Sequence, residues 1–235
     1  MKVAIHQPHY FPWLGYLNKM AKVDKFILMD DVQITDSSNM YRHNLLTMNG
    51  VTKYITIPFL KANYKNKFFN QLLINKTVDW QKNHTNFIRE NYQKAPFYEE
   101  IWPIISFIFE KNYIYLTEVT VDTIILLKNI FNISTEIILQ SQLNYPKESK
   151  KNQLVLDLCI AIDADYYLSG NGAKKYMELE PFINHGIAVE YQNFKLNEYH
   201  QFTSHNEFIS GLSSLDILFN LGIEQSRAFF WENIH

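Results

Sequence analysis

The sequence has few of the residues that cross-link or interrupt a chain. Its 235 residues include one cysteine, 7 glycines and 7 prolines. Because Cys159 has no partner for an intrachain disulfide and lies in the apolar run LVLDLCIAI, we expect a core residue and a reducing compartment. With so few glycines, each glycine-containing turn carries more weight as a structural signal.

Long apolar runs are also absent. Charged residues interrupt every hydrophobic stretch, including IWPIISFIFEKNYIYL, well before membrane-spanning length. The first residues lack the basic and then apolar pattern of a secretion signal. We therefore expect a cytoplasmic protein without membrane insertion.

The chain has no large excess of charge of either sign. Its net charge is −2 and its isoelectric point is about 6.4. A large polyanion is therefore not the expected ligand. The local basic residues that would suit such a partner are in the polar stretch SQLNYPKESKKNQ: Lys147, Lys150 and Lys151.

Several signatures of metal and catalytic sites are missing. No Cys/His cluster has zinc spacing, and the chain has neither a Gly-x-Ser-x-Gly elbow nor a P-loop. The sequence therefore predicts no metal site. It also contains no complete catalytic signature, so a non-catalytic binding protein stays open beside an enzyme.

Strand and helix patterns alternate along the chain. Val3 to His6 and Phe26 to Met29 have the pattern of buried strands on either side of a short helix, which predicts a β-loop-α-β unit with a parallel pair. The whole pattern favours an α/β fold with a largely parallel sheet and helices on both faces. We predict a single domain over 1–235, with a helical insertion at about 79–130 and a candidate lid loop at 141–153.

Three local patterns give more specific predictions. Asp79 is placed to cap a helix that ends near Pro96. The stretch AKKYMELEPFINHG predicts one helix that Gly186 ends. The tail FISGLSSLDILFNLGIEQSRAFF predicts a pair of helices or a single interrupted helix.

The stretch HQPHYFPWLGY, after the first strand, is the first candidate for a ligand site. His6 stands at the strand end, where such units bind ligands, and a neutral imidazole there suits a general base or an electrostatic stabiliser. The alternative is a histidine that braces the loop. Pro8 and Pro12 stiffen this loop. The aromatic residues that offer flat ligand walls, or simply form core, are Tyr10, Phe11, Trp13 and Tyr16.

Polar residues near later elements extend the candidate site. Asp31 is preferred to Asp30, since neighbouring side chains on a strand point to opposite faces. Arg42 is a candidate clamp for a carboxylate or phosphate, or else an exposed turn arginine. His84 is a second candidate base, or else a core or surface histidine.

The stretch YLSGNGAKKYM is the second informative segment. A strand that ends at Ser169, Gly170 and Gly172 and enters a helix would present backbone amides to a phosphate or carboxylate. An ordinary strand-to-helix turn would also use two glycines.

The loop after the first strand has a loose, fold-level similarity to nucleotidyltransferase-like, Rossmann-like proteins. Leu14, Gly15 and Tyr16 stand where those proteins have a phosphate-binding motif with two histidines. Neither of those histidines is present. The similarity therefore concerns the fold alone and does not indicate a nucleotidyl transfer activity.

Taken together, blocks along nearly the whole chain resemble the WbqC-like protein family. One departure is Tyr41-Arg42-His43, where the family commonly has an asparagine on each side of the arginine. The matching blocks are HQPHYFPWLGYLNKMAKVDKFILMDDVQ, TIPF, the W and H of WQKNH, YQKAPFY, YLSGNGAKKYM, GIAVEYQNF and LSSLDILFNLG.

The resemblance implies a bacterial role in the biosynthesis of surface glycans such as O-antigen lipopolysaccharide and capsule. It implies an acyl or aminoacyl transferase, for example of glycine, acting on the amino group of a nucleotide-linked amino sugar. His6 or His84 would be the base, with Asp31 orienting it. The expected substrate site combines Gly172 with nine residues on recurrent family positions. These nine are Gln7, Tyr10, Trp13, Tyr16, Arg42, Ser169, Gly170, Tyr176 and Asp216.

The acyl donor is open at this point. No cofactor follows with certainty; ATP with a free amino acid would make the protein a ligase, and charged tRNA or a carrier-bound acyl group are the other donors considered. A non-catalytic nucleotide-sugar binding protein is the alternative from a different functional class.

Overall fold

A computed structural model describes residues 1–35, 39–203 and 207–234. The strands in these residues are β1 (Lys2–His6), β2 (Lys25–Leu28), β3 (Arg42–Leu46), β4 (Thr52–Thr56), β5 (Glu136–Leu139), β6 (Tyr166–Ser169) and β7 (Ala188–Tyr191). The α-helices are α1 (Leu14–Ala21), α2 (Trp80–Tyr92), α3 (Tyr98–Ile105), α4 (Leu116–Ile130), α5 (Lys151–Ile160), α6 (Glu180–Asn184) and α7 (Ser214–Glu232).

Five parallel strands form the main sheet, in the order β5-β2-β1-β6-β7. The central strand β1 pairs with β2 on one side and with β6 on the other. The predicted parallel pair in the first forty residues is therefore confirmed. The loose similarity to nucleotidyltransferase-like folds is consistent with this sheet.

The two faces of the sheet support separate parts of the core. Along β1, Ala4 packs in the cluster that contains α1, α2, α3, α4 and α7, whereas Val3 and Ile5 pack in the cluster that contains α5 and α6. This alternation follows from the two-residue period of a strand. Helices lie on both faces, as the sequence predicted.

The order of the strands creates a switch point beside β1. The chain runs from β1 to β2 and β5 on one side, and then crosses to β6 and β7 on the other. In open parallel sheets, ligands bind in the crevice outside the carboxyl ends of the strands at such a point. Here those ends are His6 of β1 and Ser169 of β6.

A two-stranded antiparallel hairpin lies outside the main sheet. Its strands β3 and β4 pair Arg42 with Thr56. The sequence gave no strand at β3, because the polar residues at the start of β3 hide the apolar alternation that strand prediction needs.

The helices between β4 and β5 pack on the same core as α1 and α7. The Asp79 side chain accepts a hydrogen bond from the backbone N–H of Lys82 at 3.1 Å, which confirms the predicted cap of α2. Because these helices share their core with the main sheet, we propose that residues 1–235 form one α/β domain.

The prediction of one helix over residues 173–186 is wrong. The segment forms a 3-10 turn at Asn171–Lys175 and the short helix α6. Pro181 lies in the first turn of α6, where its missing N–H is harmless; inside one long helix it would remove a hydrogen bond and clash with the preceding turn. Gly186 follows α6 with φ +71°, as expected of a C-terminal stop.

The tail forms two helical stretches that meet inside α7, which agrees with both sequence alternatives, a pair of helices and a single interrupted helix. Gly222 has φ 73° and ψ 177° inside α7. A Cβ on this glycine would lie 2.5 Å from Cδ1 of Phe97. Both the backbone conformation and the close approach therefore require glycine at the interruption.

Gly15 allows Trp13 to lie across the start of α1, and Gly15→Ala tests this contact. An added Cβ would stand 2.2 Å from Cη2 of Trp13. We expect a loss of about 2 kcal/mol in the free energy of unfolding, since the indole must move out of its packing. Urea unfolding measures it, with Gly170→Ala as the control because no atom lies within 4 Å of its Cβ. Equal stability of both variants would show that Trp13 moves freely.

Candidate functional site

A cleft of 870 Å³ opens at the carboxyl ends of β1 and β6. Its floor includes His6 and Lys19, and its walls include Ser169, the segment 170–178 and the start of α5. The cleft thus lies at the switch point of the sheet, where this type of fold binds ligands. Of the predicted site residues, it brings together His6, Ser169, Gly170, Gly172 and Tyr176.

Lys19 is the cleft residue that the sequence interpretation missed. It is 3% exposed, and its Nζ donates a hydrogen bond to the backbone oxygen of Ile5 at 2.9 Å. Burial lowers its pKa from 10.5 to about 7. The ion pairs formed within residues 1–35, 39–203 and 207–234 do not include Lys19.

One signal in the sequence could have revealed Lys19. The apolar stripe of α1 contains Tyr16, Met20 and Val23, and Lys19 is three residues from Tyr16 on the same helical face. A lysine on a buried stripe is rarely left without a role, because burying its charge is costly.

His6 presents a neutral imidazole to the cleft. Its Nδ1 lies 3.0 Å from the carbonyl oxygen of Gln7, which places the ring proton on Nδ1 and leaves Nε2 as the acceptor. Burial, and then the charge of Lys19, lower the pKa of His6 to about 3, against the opposing effect of the bond to Gln7. His6 is therefore unprotonated at neutral pH.

His6 belongs to a histidine cluster with His9, Tyr16 and His43. The His6 and His9 ring centroids are 4.8 Å apart, His9 stacks on Tyr16 at 5.0 Å, and His43 lies 6.5 Å from His9. Burial is the largest cause that lowers the pKa values of His9 and His43, the latter to about 4. The cluster is thus uncharged at neutral pH. His9 and His43 were not among the predicted site residues.

The segment after β6 forms an open, polar wall. Ser169 is fully buried, and a Cβ added to Gly170 or Gly172 would meet no atom within 4 Å. These glycines therefore leave the backbone accessible to a ligand. Tyr176 is 76% exposed at the rim of the cleft, where its ring is free to stack on a flat group.

The start of α5 adds a further part of the cleft wall, and Asn152 there is hydrogen-bonded to the backbone of Glu178. Lys151, the first residue of this ten-residue helix, and Asn152 line the cleft. The N-terminus of a helix and a lysine both favour an anion. Lys151 has φ 53°, a left-handed conformation that non-glycine residues seldom adopt.

Asp31 binds the loop after β5 and lies outside the cleft lining. Its carboxylate accepts hydrogen bonds from Tyr145 at 2.7 Å, Lys147 at 3.0 Å and Asn70 at 3.3 Å. Partial burial would raise its pKa, but these hydrogen bonds together lower it. The geometry favours a structural role for Asp31 over orientation of a catalytic histidine.

Asp30 holds the same loop. Its carboxylate accepts from the backbone N–H of Ser141 at 2.9 Å and from the Ser141 hydroxyl at 2.6 Å. With the bonds of Asp31 to Tyr145 and Lys147, these contacts favour a fixed loop over a mobile lid for the first half of residues 141–153. Of the three lysines considered for a polyanion, Lys147 is paired with Asp31 and Lys151 lies in the cleft.

Arg42 lies at a second, separate depression of 550 Å³, together with Tyr41, Tyr64 and Asn75. Its guanidinium lies over the ring of Tyr54, 4.6 Å from the centroid. The structure therefore does not bring Arg42 to the wall formed by Gly170 and Gly172.

His84 lies in the core. Its Nδ1 is 3.0 Å from the Tyr10 hydroxyl, and its Nε2 is 3.1 Å from the carbonyl oxygen of Thr56. Burial lowers its pKa to about 4. Because both ring nitrogens are bonded and Tyr10 is fully buried, this geometry favours structural roles for both residues.

Gln7 and Trp13 also lie outside the cleft lining. Gln7 contributes its backbone oxygen to the bond that orients His6. The Trp13 ring packs edge-on against Phe194, with centroids 5.7 Å apart. Among the aromatic residues proposed as ligand walls, Tyr10 and Tyr16 are core, and Tyr16 touches the edge of His6.

Asp216 forms a buried polar network in the first turn of α7. Its carboxylate accepts hydrogen bonds from Tyr92 and Tyr199, each at 2.8 Å, and from Gln201 at 3.1 Å. Burial raises its pKa in spite of these three donors. Asp216 thus links α7 to α2 and to the segment before α7, away from the cleft.

Two kinds of feature are absent from the described part of the chain. Within it, no group of three or more histidine, cysteine, aspartate or glutamate residues is arranged to hold a metal ion. No helix there has both the length and the apolar character that crossing a membrane requires.

Comparisons with known proteins assign this chain to a family. The model of the WbqC-like protein family matches residues 7–228. Uncharacterized protein Rv1507c from Mycobacterium tuberculosis (strain ATCC 25618 / H37Rv) is 32% identical over 232 residues, which cover 95% of this chain and 95% of the relative. No solved structure gives a significant match. The chain therefore belongs to the WbqC-like protein family.

Proposed function

We propose that this protein is a bacterial acyl or aminoacyl transferase that acts on the amino group of a nucleotide-linked amino sugar in surface-glycan biosynthesis. One observation carries the proposal: the cleft at the switch point joins an anion-compatible rim to a floor with two nitrogen bases, His6, which is uncharged at pH 7, and Lys19, which is about half uncharged. A nucleotide-linked amino sugar has both matching parts, a diphosphate and an amine.

The rim suits the diphosphate. The open backbone at Gly170 and Gly172, the start of α5 and the charge of Lys151 all face the same cleft. Backbone amides at a helix start and a nearby lysine are common phosphate ligands. Tyr176, at the rim, would stack on the base or the sugar.

The floor suits transfer to an amine. The sugar ammonium must lose a proton before its nitrogen attacks the acyl carbon; the oxyanion then collapses as the donor's leaving group departs. Lys19, with a pKa of about 7, matches this proton better than His6, with a pKa of about 3. We therefore assign the base to Lys19 and a polar contact with the reacting group to His6.

Thermal unfolding with added ligands tests the proposal. The ligands are nucleotide-linked amino sugars, ATP with glycine, and each of these alone, since a ligand that prefers the folded state raises the melting temperature. Stabilisation by a nucleotide sugar supports the transferase, and further stabilisation by ATP indicates a ligase. No stabilisation by any nucleotide sugar would contradict the binding of a nucleotide-linked substrate and, with it, the transferase proposal.

Gly172→Ala tests where the phosphate lies. The added methyl meets no atom of the protein within 4 Å, so the melting temperature without ligand should stay unchanged. A phosphate that approaches the backbone would meet the methyl, and we expect a nucleotide sugar to bind about tenfold more weakly, or about 1.4 kcal/mol. Titration of both proteins by calorimetry measures this difference. Equal affinity would move the phosphate away from this wall.

A further inference from the structure

A buried lysine that lines a ligand cleft without an acidic partner has a chemical use beyond proton transfer. Lys19 belongs to α1, in which Leu14 to Met20 are all buried. Its Nζ is held by the Ile5 carbonyl, in the same cleft as the anion-compatible rim. The ion pairs formed by the described residues leave Lys19 out. Among the described residues, no ion pair therefore stabilises the ammonium form of Lys19.

We propose that Lys19 is a nucleophilic amine that makes the cleft a covalent binding site for phosphate-bearing aldehydes and ketones. The rim at Gly170, Gly172 and Lys151 holds the phosphate, and the carbonyl group reaches the floor. This proposal stands apart from the transfer reaction, because it concerns the amine of the protein and not the amine of a sugar.

The bond forms in two balanced steps. The lone pair of Lys19 Nζ attacks the carbonyl carbon, and a proton passes from nitrogen to the carbonyl oxygen to give a carbinolamine. That oxygen then leaves as water with the second nitrogen-bound proton, and a carbon–nitrogen double bond remains. His6, which lies in the same cleft and whose Nδ1 is bonded to the Gln7 carbonyl, is available to accept a hydrogen bond from the carbinolamine hydroxyl and so to orient it.

The charge state of Lys19 supports this use. Burial brings its pKa to about 7, so about half of the amine is uncharged at pH 7. An ordinary surface lysine, with a pKa near 10.4, is uncharged in fewer than about one molecule in a thousand at that pH. We therefore expect a carbonyl compound to react selectively with Lys19 at neutral pH.

Reductive trapping tests the proposal on the whole protein. Pyridoxal 5′-phosphate is the phosphate-bearing probe, pyridoxal is its phosphate-free counterpart, and cyanoborohydride converts any imine to a stable amine that peptide mass spectrometry locates. We expect the adduct on Lys19, a labelling rate that rises with pH around 7, and slower labelling by pyridoxal 5′-phosphate in inorganic phosphate.

Variants test the reacting amine and the phosphate-binding rim separately. Lys19→Met and Lys19→Arg should both lose the specific adduct with either probe, and Lys19→Arg keeps a cation in the cleft. In Lys151→Met we expect pyridoxal to react with Lys19 as in the wild type, whereas half-saturation by pyridoxal 5′-phosphate should need about tenfold more probe.

Two results would overturn the proposal. One is an adduct spread over exposed lysines with Lys19 unmodified in the wild type, which decides the question even if a variant fails to fold. The other is labelling of Lys19 that neither phosphate nor Lys151→Met affects, which would remove the phosphate part. Failure of nucleotide sugars to stabilise the protein bears on the transferase alone and leaves this test intact.

Discussion

Asp216→Ala is expected to lower the free energy of unfolding by about 3 kcal/mol. The substitution removes the shared acceptor of Tyr92, Tyr199 and Gln201, which lie within 3.1 Å of the carboxylate. Each buried donor left without a partner costs about 1–3 kcal/mol, partly recovered by relaxation. For a chain of 235 residues this corresponds to about 6–12 °C in the melting temperature. Calorimetry or urea unfolding measures the loss.

Asp216→Asn is the matched control. The amide keeps one acceptor oxygen and the shape of the side chain, and burial already raises the pKa of Asp216, which disfavours its charge. We expect a loss of about 1 kcal/mol, well below that of alanine. A loss as large as that of Asp216→Ala would show that the junction needs an acceptor on both oxygens, since Tyr92 donates to one oxygen of Asp216, and Tyr199 and Gln201 donate to the other. Neither variant should change ligand binding in the cleft beyond its effect on folding.

Lys19→Met is expected to stabilise the protein by about 3 kcal/mol at pH 6.5. A pKa that falls from 10.5 to about 7 corresponds to about 5 kcal/mol of unfavourable burial, and loss of the hydrogen bond to Ile5 takes back part of the gain. Methionine fills a similar volume without a charge. Urea unfolding of both proteins measures the difference.

The pH dependence of the stability gained by Lys19→Met identifies the cause of that gain. Between pH 7 and 10.5 the unfolded chain binds a proton at Lys19 that the folded protein has lost, so wild-type stability rises with pH in this window. The advantage of Lys19→Met is therefore full below pH 7 and shrinks toward pH 10.5. A gain for Lys19→Met that stays constant from pH 6.5 to 9.5 would mean that packing, and not desolvation, is responsible.

The local patterns of the sequence predicted the centre of the fold. The unit β1-α1-β2 follows from two apolar strands around a short amphipathic helix, and the cap at Asp79 follows from hydrogen-bonding chemistry within one turn. Both depend on neighbours in sequence. Strand β3 could not be predicted in this way, because its burial comes from packing against segments that are distant in the sequence. The local pattern of apolar residues does not show such packing.

The candidate site was predictable only where it follows from strand ends. His6 and Ser169 were found because ligands bind at the carboxyl ends of parallel strands, and both line the cleft. Asp31, Arg42, His84 and Asp216 carry the same kinds of polar groups, yet their hydrogen bonds, or in Arg42 a ring contact, hold other parts of the structure. Long-range packing decides between these uses, and residue type alone does not.

The order of strands in the sheet determines when each part of the fold can form during protein synthesis. The central strand β1 leaves the ribosome before the other strands of the sheet and can pair with β2 after some twenty residues, but its other neighbour is β6, near residue 166. One edge of β1 therefore stays open while most of the chain is made, exposing unpaired backbone groups that favour aggregation. The cleft, which needs β1 and β6 side by side, is complete only late in synthesis. An incomplete chain therefore contains His6 and Lys19 but not the finished binding site.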